Sequence, residues 1–330
     1  MFRRLVLAGL VLVAAGCGGS AESREEPDFW SVKPESGERE GEVVQRARAI
    51  DPCALVPGEE LAKYGTVVKV RYADVDRCEA RLDSLDAPGI LIGTTVATGK
   101  AARARAGSTE GTALTAGEVS GRLRSVVGRP GPDATDHERM PGCSARWELP
   151  AGVELGTYVH APSTERACAI AESTARVALE RWAAEPTASE VPTRTALVGA
   201  DPCAALERLD AVPTPGEQQS SVCAFTFEGE QAMIHYEYVS RSLLGTEPEP
   251  GSDVAASEVT VAGRTVTRRD QATLLSYHLP IADVPDPDID PENPSIPTAS
   301  VYLVKKDGNP NTDKDAVLTR ITTEVAALFP

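Results

Sequence analysis

A short phrase occurs twice in this chain and constrains its folding more than any other feature: Ile50-Asp51-Pro52-Cys53-Ala54-Leu55 and Ala200-Asp201-Pro202-Cys203-Ala204-Ala205-Leu206. Asp before Pro before an apolar run is a helix start. The Asp51 or Asp201 carboxylate can accept from the free N–H groups of a first turn. Pro52 and Pro202 then fill the first helical position, where a missing N–H costs nothing. Each cysteine is therefore held in one direction. A chain that repeats such an opening reads as one unit used twice, over 49–185 and 195–330.

Each phrase is followed by a cysteine that begins an alternating stretch: Cys78-Glu79-Ala80-Arg81-Leu82 and Cys223-Ala224-Phe225-Thr226-Phe227. A third, Cys143-Ser144-Ala145-Arg146-Trp147-Glu148-Leu149, has the same pattern. Period-2 alternation marks a half-buried strand with the cysteine on its core face. The economical pairing is Cys53–Cys78 and Cys203–Cys223, which leaves Cys143 for Cys168. There is no Cys-x-x-Cys and no His at ligand spacing, so a zinc or redox site has no support.

The N-terminus bears on the compartment. Arg3 and Arg4 precede an apolar run, Leu5 to Ala15, too short to span a bilayer. Ala14-Ala15-Gly16-Cys17 resembles the lipobox of bacterial lipoproteins, with Ala14 where leucine is commonest. The resemblance implies that residues 1–17 form a lipoprotein signal peptide, that Cys17 is diacylated, and that the protein sits on the outer face of the cell membrane. The alternative is an ordinary cleaved signal peptide. Seven cysteines fit the lipid reading, since one lipidated residue leaves three pairs. Residues 18–48 are polar and read as a flexible tether whose only apolar spot is Phe29-Trp30. A net charge of −16 argues against nucleic acid, and the excess of arginine over lysine suggests a GC-rich actinomycete.

In the first block, 57–64 reads as a short helix, Val67 to Val70 as a strand, and the Cys78 strand turns into Ile90 to Val96. Residues 99–116 read as a long loop, and Glu118 to Arg122 begin another hairpin. The Cys143 strand returns through Val153 to His160. A helix from Ser163 or Thr164 places Cys168, Ala171, Ala175, Leu179 and Trp182 on one face. The second block repeats the order: the Cys223 strand into Ala232 to Tyr238, the Glu258 to Arg264 hairpin, Leu275 to Pro280, and Val301 to Leu303. It closes on a helix capped at Thr312 that buries Val317, Ile321, Val325 and Leu328. The linker is 186–194. The fold class this gives is α+β, two tandem antiparallel-sheet domains with flanking helices.

Asp51-Pro52-Cys53-Ala54-Leu55-Val56-Pro57-Gly58-Glu59-Glu60-Leu61 resembles the opening of a large family of actinobacterial lipoproteins of unknown function. Asp201 to Leu206 match its first residues only, and Leu82 stands where that family has the aromatic matched by Phe227. The resemblance implies PsbP-like domains. The extracellular sensor domains of mycobacterial Ser/Thr kinases are a looser likeness in size and disulfide content. Neither brings catalytic residues.

Candidate chemistry is sparse. Gly93-Thr94-Thr95-Val96-Ala97-Thr98-Gly99-Lys100 has one residue too many between its glycines for a phosphate loop, and Ala101 where Ser or Thr is needed. Asp286-Pro287-Asp288-Ile289-Asp290-Pro291-Glu292 alternates carboxylates, but Pro291 replaces the glycine of a calcium loop; an extended solvated loop is expected. His137, His160, His235 and His278 fall in four elements, with surface or rim positions expected for the last two. Tyr158, Tyr236, Tyr238, Tyr277, Tyr302 and Trp147 lie in strands, as core or as cleft lining. The expectation is a non-enzymatic binding or adaptor lipoprotein without cofactor, metal or catalytic set, whose partners are the membrane through its anchor and an envelope protein or small ligand. The alternatives are an envelope hydrolase with a non-motif active site and a structural spacer.

Overall fold

The computed structural model describes residues 28–35, 37–85, 88–99, 102, 110–128, 136–187, 196–246, 254–281, 295–305 and 313–330. Its helices are α1 (Gly37–Ala49), α2 (Gly58–Leu61), α3 (Asp136–Arg139), α4 (Thr164–Trp182), α5 (Leu206–Leu209), α6 (Arg241–Leu244) and α7 (Lys314–Ala326).

Two antiparallel sheets carry the fold. The first contains β1 (Val67–Asp74), β2 (Arg77–Leu82), β3 (Ile90–Thr98), β4 (Thr112–Ala116), β5 (Val119–Val126), β6 (Gly142–Leu149) and β7 (Val153–His160), in the order β1-β2-β3-β7-β6-β5-β4. The second contains β8 (Val222–Phe227), β9 (Glu230–Ser240), β10 (Ala255–Val261), β11 (Arg264–Asp270), β12 (Leu274–Pro280) and β13 (Ser295–Val304), in the order β10-β11-β12-β13-β9-β8. Strand for strand, β2 to β7 and β8 to β13 share one topology. Only β1 lacks an equal: its counterpart shrinks to a single bridge, Pro213 to Phe225, with Thr214 N donating to Ala224 O at 2.7 Å.

Each sheet buries one face under a long helix. Beneath α4, the alternate residues Cys143, Ala145, Trp147 and Leu149 of β6 are buried with Ala171, Ala175 and Trp182 of the helix. Trp147 Nε1 donates to Ala175 O at 2.8 Å, which satisfies the one polar atom of its ring. Small alanines on α4 let the helix sit close to the large strand side chains. Beneath α7, Leu275, Tyr277, Val301 and Leu303 meet Val317, Ile321 and Val325. Disulfides join Cys53–Cys78, Cys143–Cys168 and Cys203–Cys223, with Cα–Cα distances of 4.9, 4.8 and 5.2 Å.

The structure departs from the expected elements in four places. Of the expected tether 18–48, residues 18–27 and 36 lie outside the described residues, and 28–35 and 37–48 are packed: α1 buries Val43, Val44 and Ala47, and Trp30 is 3% exposed. Trp30 packs edge-on against Trp182 at 4.8 Å and donates Nε1 to Glu185 at 2.8 Å. The polar remainder of α1 faces solvent, which is why composition concealed the helix. The phrase at Asp51 makes a turn of 3-10 helix, Pro52–Ala54, with Cys53 N donating to Asp51 at 2.8 Å, and the helix goes no further. The stretch read as a loop contains β4, paired with β5. The last helix is capped by Asp313, which accepts from Ala316 N at 3.1 Å, rather than by Thr312. Cys17, Asp286 to Glu292 and most of the linker lie outside the described residues.

Candidate functional site

The faces turned away from α4 and α7 carry most of the polar chemistry, and they differ from each other. On the second sheet, hydrogen bonds run across β12, β13 and β9. Ser276 Oγ lies 2.9 Å from His278 Nε2, and His278 Nδ1 lies 2.8 Å from Ser300 Oγ. Ser300 bonds the Tyr302 phenol, Tyr302 donates to Glu237 at 2.7 Å, and His235 Nδ1 lies 3.4 Å from the other Glu237 oxygen.

One direction of donation satisfies this chain. Tyr302 O–H points to the carboxylate, so Ser300 donates to Tyr302 and accepts from His278 Nδ1–H. His278 Nε2 is then the acceptor for Ser276. Burial pushes the His278 imidazole down to about 4, so it is neutral at ordinary pH. Burial, with Glu237 beside it, raises the Tyr302 phenol. Arg269 stands opposite Ser276 in the ladder and donates to Leu243 O of α6 at 2.6 Å.

On the first sheet the face is cationic. β1 and β2 present Lys69, Arg71, Arg77 and Arg81 around Glu79. Arg71 bonds Glu79 at 2.6 Å, and Tyr158 of β7 donates to the other Glu79 oxygen at 2.5 Å. Burial alone would raise the Glu79 carboxyl, but Arg71 and the Tyr158 hydroxyl outweigh it and hold it below the usual carboxylate range. Gly93 makes this possible, since a Cβ there would lie 2.0 Å from the Tyr158 ring. Tyr158 and Tyr302 are equivalent last-strand tyrosines, but Tyr158 reaches across β3 to Glu79 of β2 whereas Tyr302 closes on Glu237 of the adjacent β9.

A third polar cluster joins the two halves. Arg48 of α1 pairs with Asp201 at 2.7 Å and donates Nε to Ser220 O at 2.9 Å. Ser220 N donates to Thr98 at 2.8 Å, and Ser220 Oγ lies 3.4 Å from Asp76. Burial, with Asp74 close by, pushes the Asp76 carboxyl up to about 7. Cys53, Tyr72, Cys78 and Val198 form an apolar cluster beside it, with Tyr238 packed against them.

His235 and His278 come together, and His278, 7% exposed, is no rim residue. His137 contacts Arg81 at 2.9 Å, and His160 contacts Met140 O at 3.2 Å. Trp147, Tyr236 and Tyr277 are core, while Tyr158 and Tyr302 lie on the far faces. Gly93 to Thr98 are β3, and Gly99 follows with φ +58° where a Cβ would lie 2.0 Å from Gln218 O. Sequence reasoning missed the charged faces because outward positions of an alternating strand read as solvated. Strand-interior glycines at 93 and 156, which mark close approach, were the available signal.

Among the described residues, no group of three His, Cys, Asp or Glu side chains is placed to hold a metal ion, and no helix is long and apolar enough to cross a membrane. Compared with protein-family models, with curated proteins and with solved structures, the chain matches none of them.

Proposed function

We propose that the chain is a non-enzymatic binding or adaptor protein of the cell envelope, with PsbP-like domains hung from the acylated Cys17, that receives its partner or ligand on the far faces of its sheets. One observation carries this reading: the faces opposite α4 and α7 hold charged and hydroxylated side chains organised across several strands. The disulfides agree with an oxidising compartment. The test is cross-linking on intact cells followed by capture, together with an unbiased thermal-shift ligand screen. A partner or ligand lost on substitution of far-face residues supports the reading. A blank in both experiments overturns it.

A second reading, an envelope hydrolase, is favoured by the Ser276–His278 contact and its relay to Glu237. It ranks second for two physical reasons. A base held near 4 is a weak proton acceptor at neutral pH, and Ser276 is 1% exposed. A fluorophosphonate probe applied to the full chain decides: labelling that disappears in Ser276→Ala establishes a nucleophile, and no labelling removes the hydrolase reading.

A further inference from the structure

Acidic residues outnumber basic ones in the whole chain, 49 to 33, yet the far face of the first sheet reverses this. Lys69, Arg71, Arg77 and Arg81 lie on its β1–β2 side, and Arg122 and Arg146 on its β5–β6 side. Its acidic residues are Glu79 at the centre, Asp74 at the β1 end, and Glu148 and Glu154, which face each other along one margin, with Glu154 3.8 Å from Arg146 Nε. The ladder sets Lys69 directly opposite Arg81, and Arg122 directly opposite Arg146. Like charges so placed work against strand pairing, and this face holds two such pairs of cations.

The ground between the two cationic sides is low. One row of the ladder runs Arg77, Thr95, Gly156, Arg146. Three strand spacings separate its ends, about 14 Å, which two extended arginine side chains can close from either side. Gly156 has no side chain, and the Thr95 hydroxyl lies 2.6 Å from where a Cβ on Gly156 would be. The Nε atoms of Arg71 and Arg77 are buried without a hydrogen-bond partner. Buried donors are nearly always satisfied, and an unsatisfied one calls for a missing acceptor.

We propose that this face binds a phosphate-type oxyanion, held by Arg71, Arg77 and Arg146 above Thr95 and Gly156. Guanidinium forks brought to one place, with Arg146 turning from its 3.8 Å contact with Glu154, suit a group with more charge and more oxygens than a single carboxylate. A free phosphate or the phosphodiester of a lipid headgroup supplies the same chemistry. The inference rests on the reading that the far faces receive ligands.

The test is the thermal midpoint of the full-length chain titrated with inorganic phosphate, and separately with glycerophosphoglycerol as a soluble headgroup, at constant ionic strength against chloride. A saturable rise is expected with one of them and not with chloride. Arg146→Gln and Arg77→Gln each weaken the apparent affinity about tenfold, while Arg176→Gln on α4 leaves it unchanged. Should Arg77→Gln fail to fold, Arg146→Gln carries the test, because that side chain is 42% exposed. A rise with phosphate alone assigns free phosphate, and a rise with the diester assigns the headgroup. An equal rise with chloride, or unchanged affinity in Arg146→Gln, overturns the proposal. If neither phosphate compound binds but the unbiased screen finds another ligand, only this inference falls; if the screen is blank as well, both readings fall.

Discussion

His278 is a buried titratable group and Asp76 a half-buried one, with opposite effects of pH. The folded-state pKa of His278 is depressed from 6.5 to about 4 by burial, with Arg269 and His235 adding to the fall and Glu237 opposing it. Between those values the unfolded chain takes up a proton that the folded chain refuses, so this contribution to stability is full above pH 6.5 and lost as pH falls to 4. The size is about 3 kcal/mol. Asp76 is raised from 3.8 to about 7 by burial, with Asp74 adding and Arg77 and Ser220 opposing. Its contribution is therefore full below 3.8 and lost as pH rises to 7, by at most about 4 kcal/mol. Across pH 4 to 6.5 the two nearly cancel. In urea unfolding, His278→Asn should become more stable relative to wild type as pH falls through that window. Asp76→Asn should show its gain at pH 8 and none at pH 4. Parallel pH curves for wild type and both variants would refute the assignment of these titrations.

At the scale of elements, what could be read from sequence followed apolar periodicity. The hairpins and α4 show clear periods of 2 and 3.6, and the cysteine pairings follow once Cys78, Cys143 and Cys223 are placed on the inner faces of their strands. α1 gave no such signal, because it buries only Val43, Val44 and Ala47 apart from the stem of Arg48. β4 was hidden because Leu114 is its one buried residue. The far-face clusters depend on strand order: Glu79 and Tyr158 meet only because β3 and β7 are neighbours, a long-range pairing with no local trace. The N-terminal segment gives a direct test. A tether predicts that Trp30→Ala is silent. The packing of Trp30 on Trp182 instead predicts a loss of about 3–5 kcal/mol, read as a fall in the urea midpoint at unchanged slope.

For the whole molecule, the question is whether the halves unfold together. Val75 of the first half is buried in the second core, an apolar cluster surrounds Cys53–Cys78, and among the polar links Arg48 is the charged one: its side chain is 7% exposed, and burial lowers its pKa with only partial compensation from Asp201. Arg48→Met keeps the stem packed but strips Ser220 O of its donor and Asp201 of its cation. Asp201 is 36% exposed and can hydrate, so the cost is held to about 1–3 kcal/mol, below that of breaking a fully buried pair. That loss falls on coupling between the halves, because Arg48 belongs to the first core's helix and both partners belong to the second half. The three tryptophans, Trp30, Trp147 and Trp182, all lie in the first half, so their fluorescence reports that half alone while far-ultraviolet circular dichroism reports both. Wild type should show coincident urea transitions by the two probes. In Arg48→Met the fluorescence and dichroism midpoints should separate, the half without tryptophan unfolding on its own. If the probes stay coincident in the variant, the halves are held together by the apolar contact of Tyr72 and Val198 with the disulfide, by Val75 in the second core and by the Ser220–Thr98 bond instead, and the ion pair at Arg48 adds nothing to their coupling.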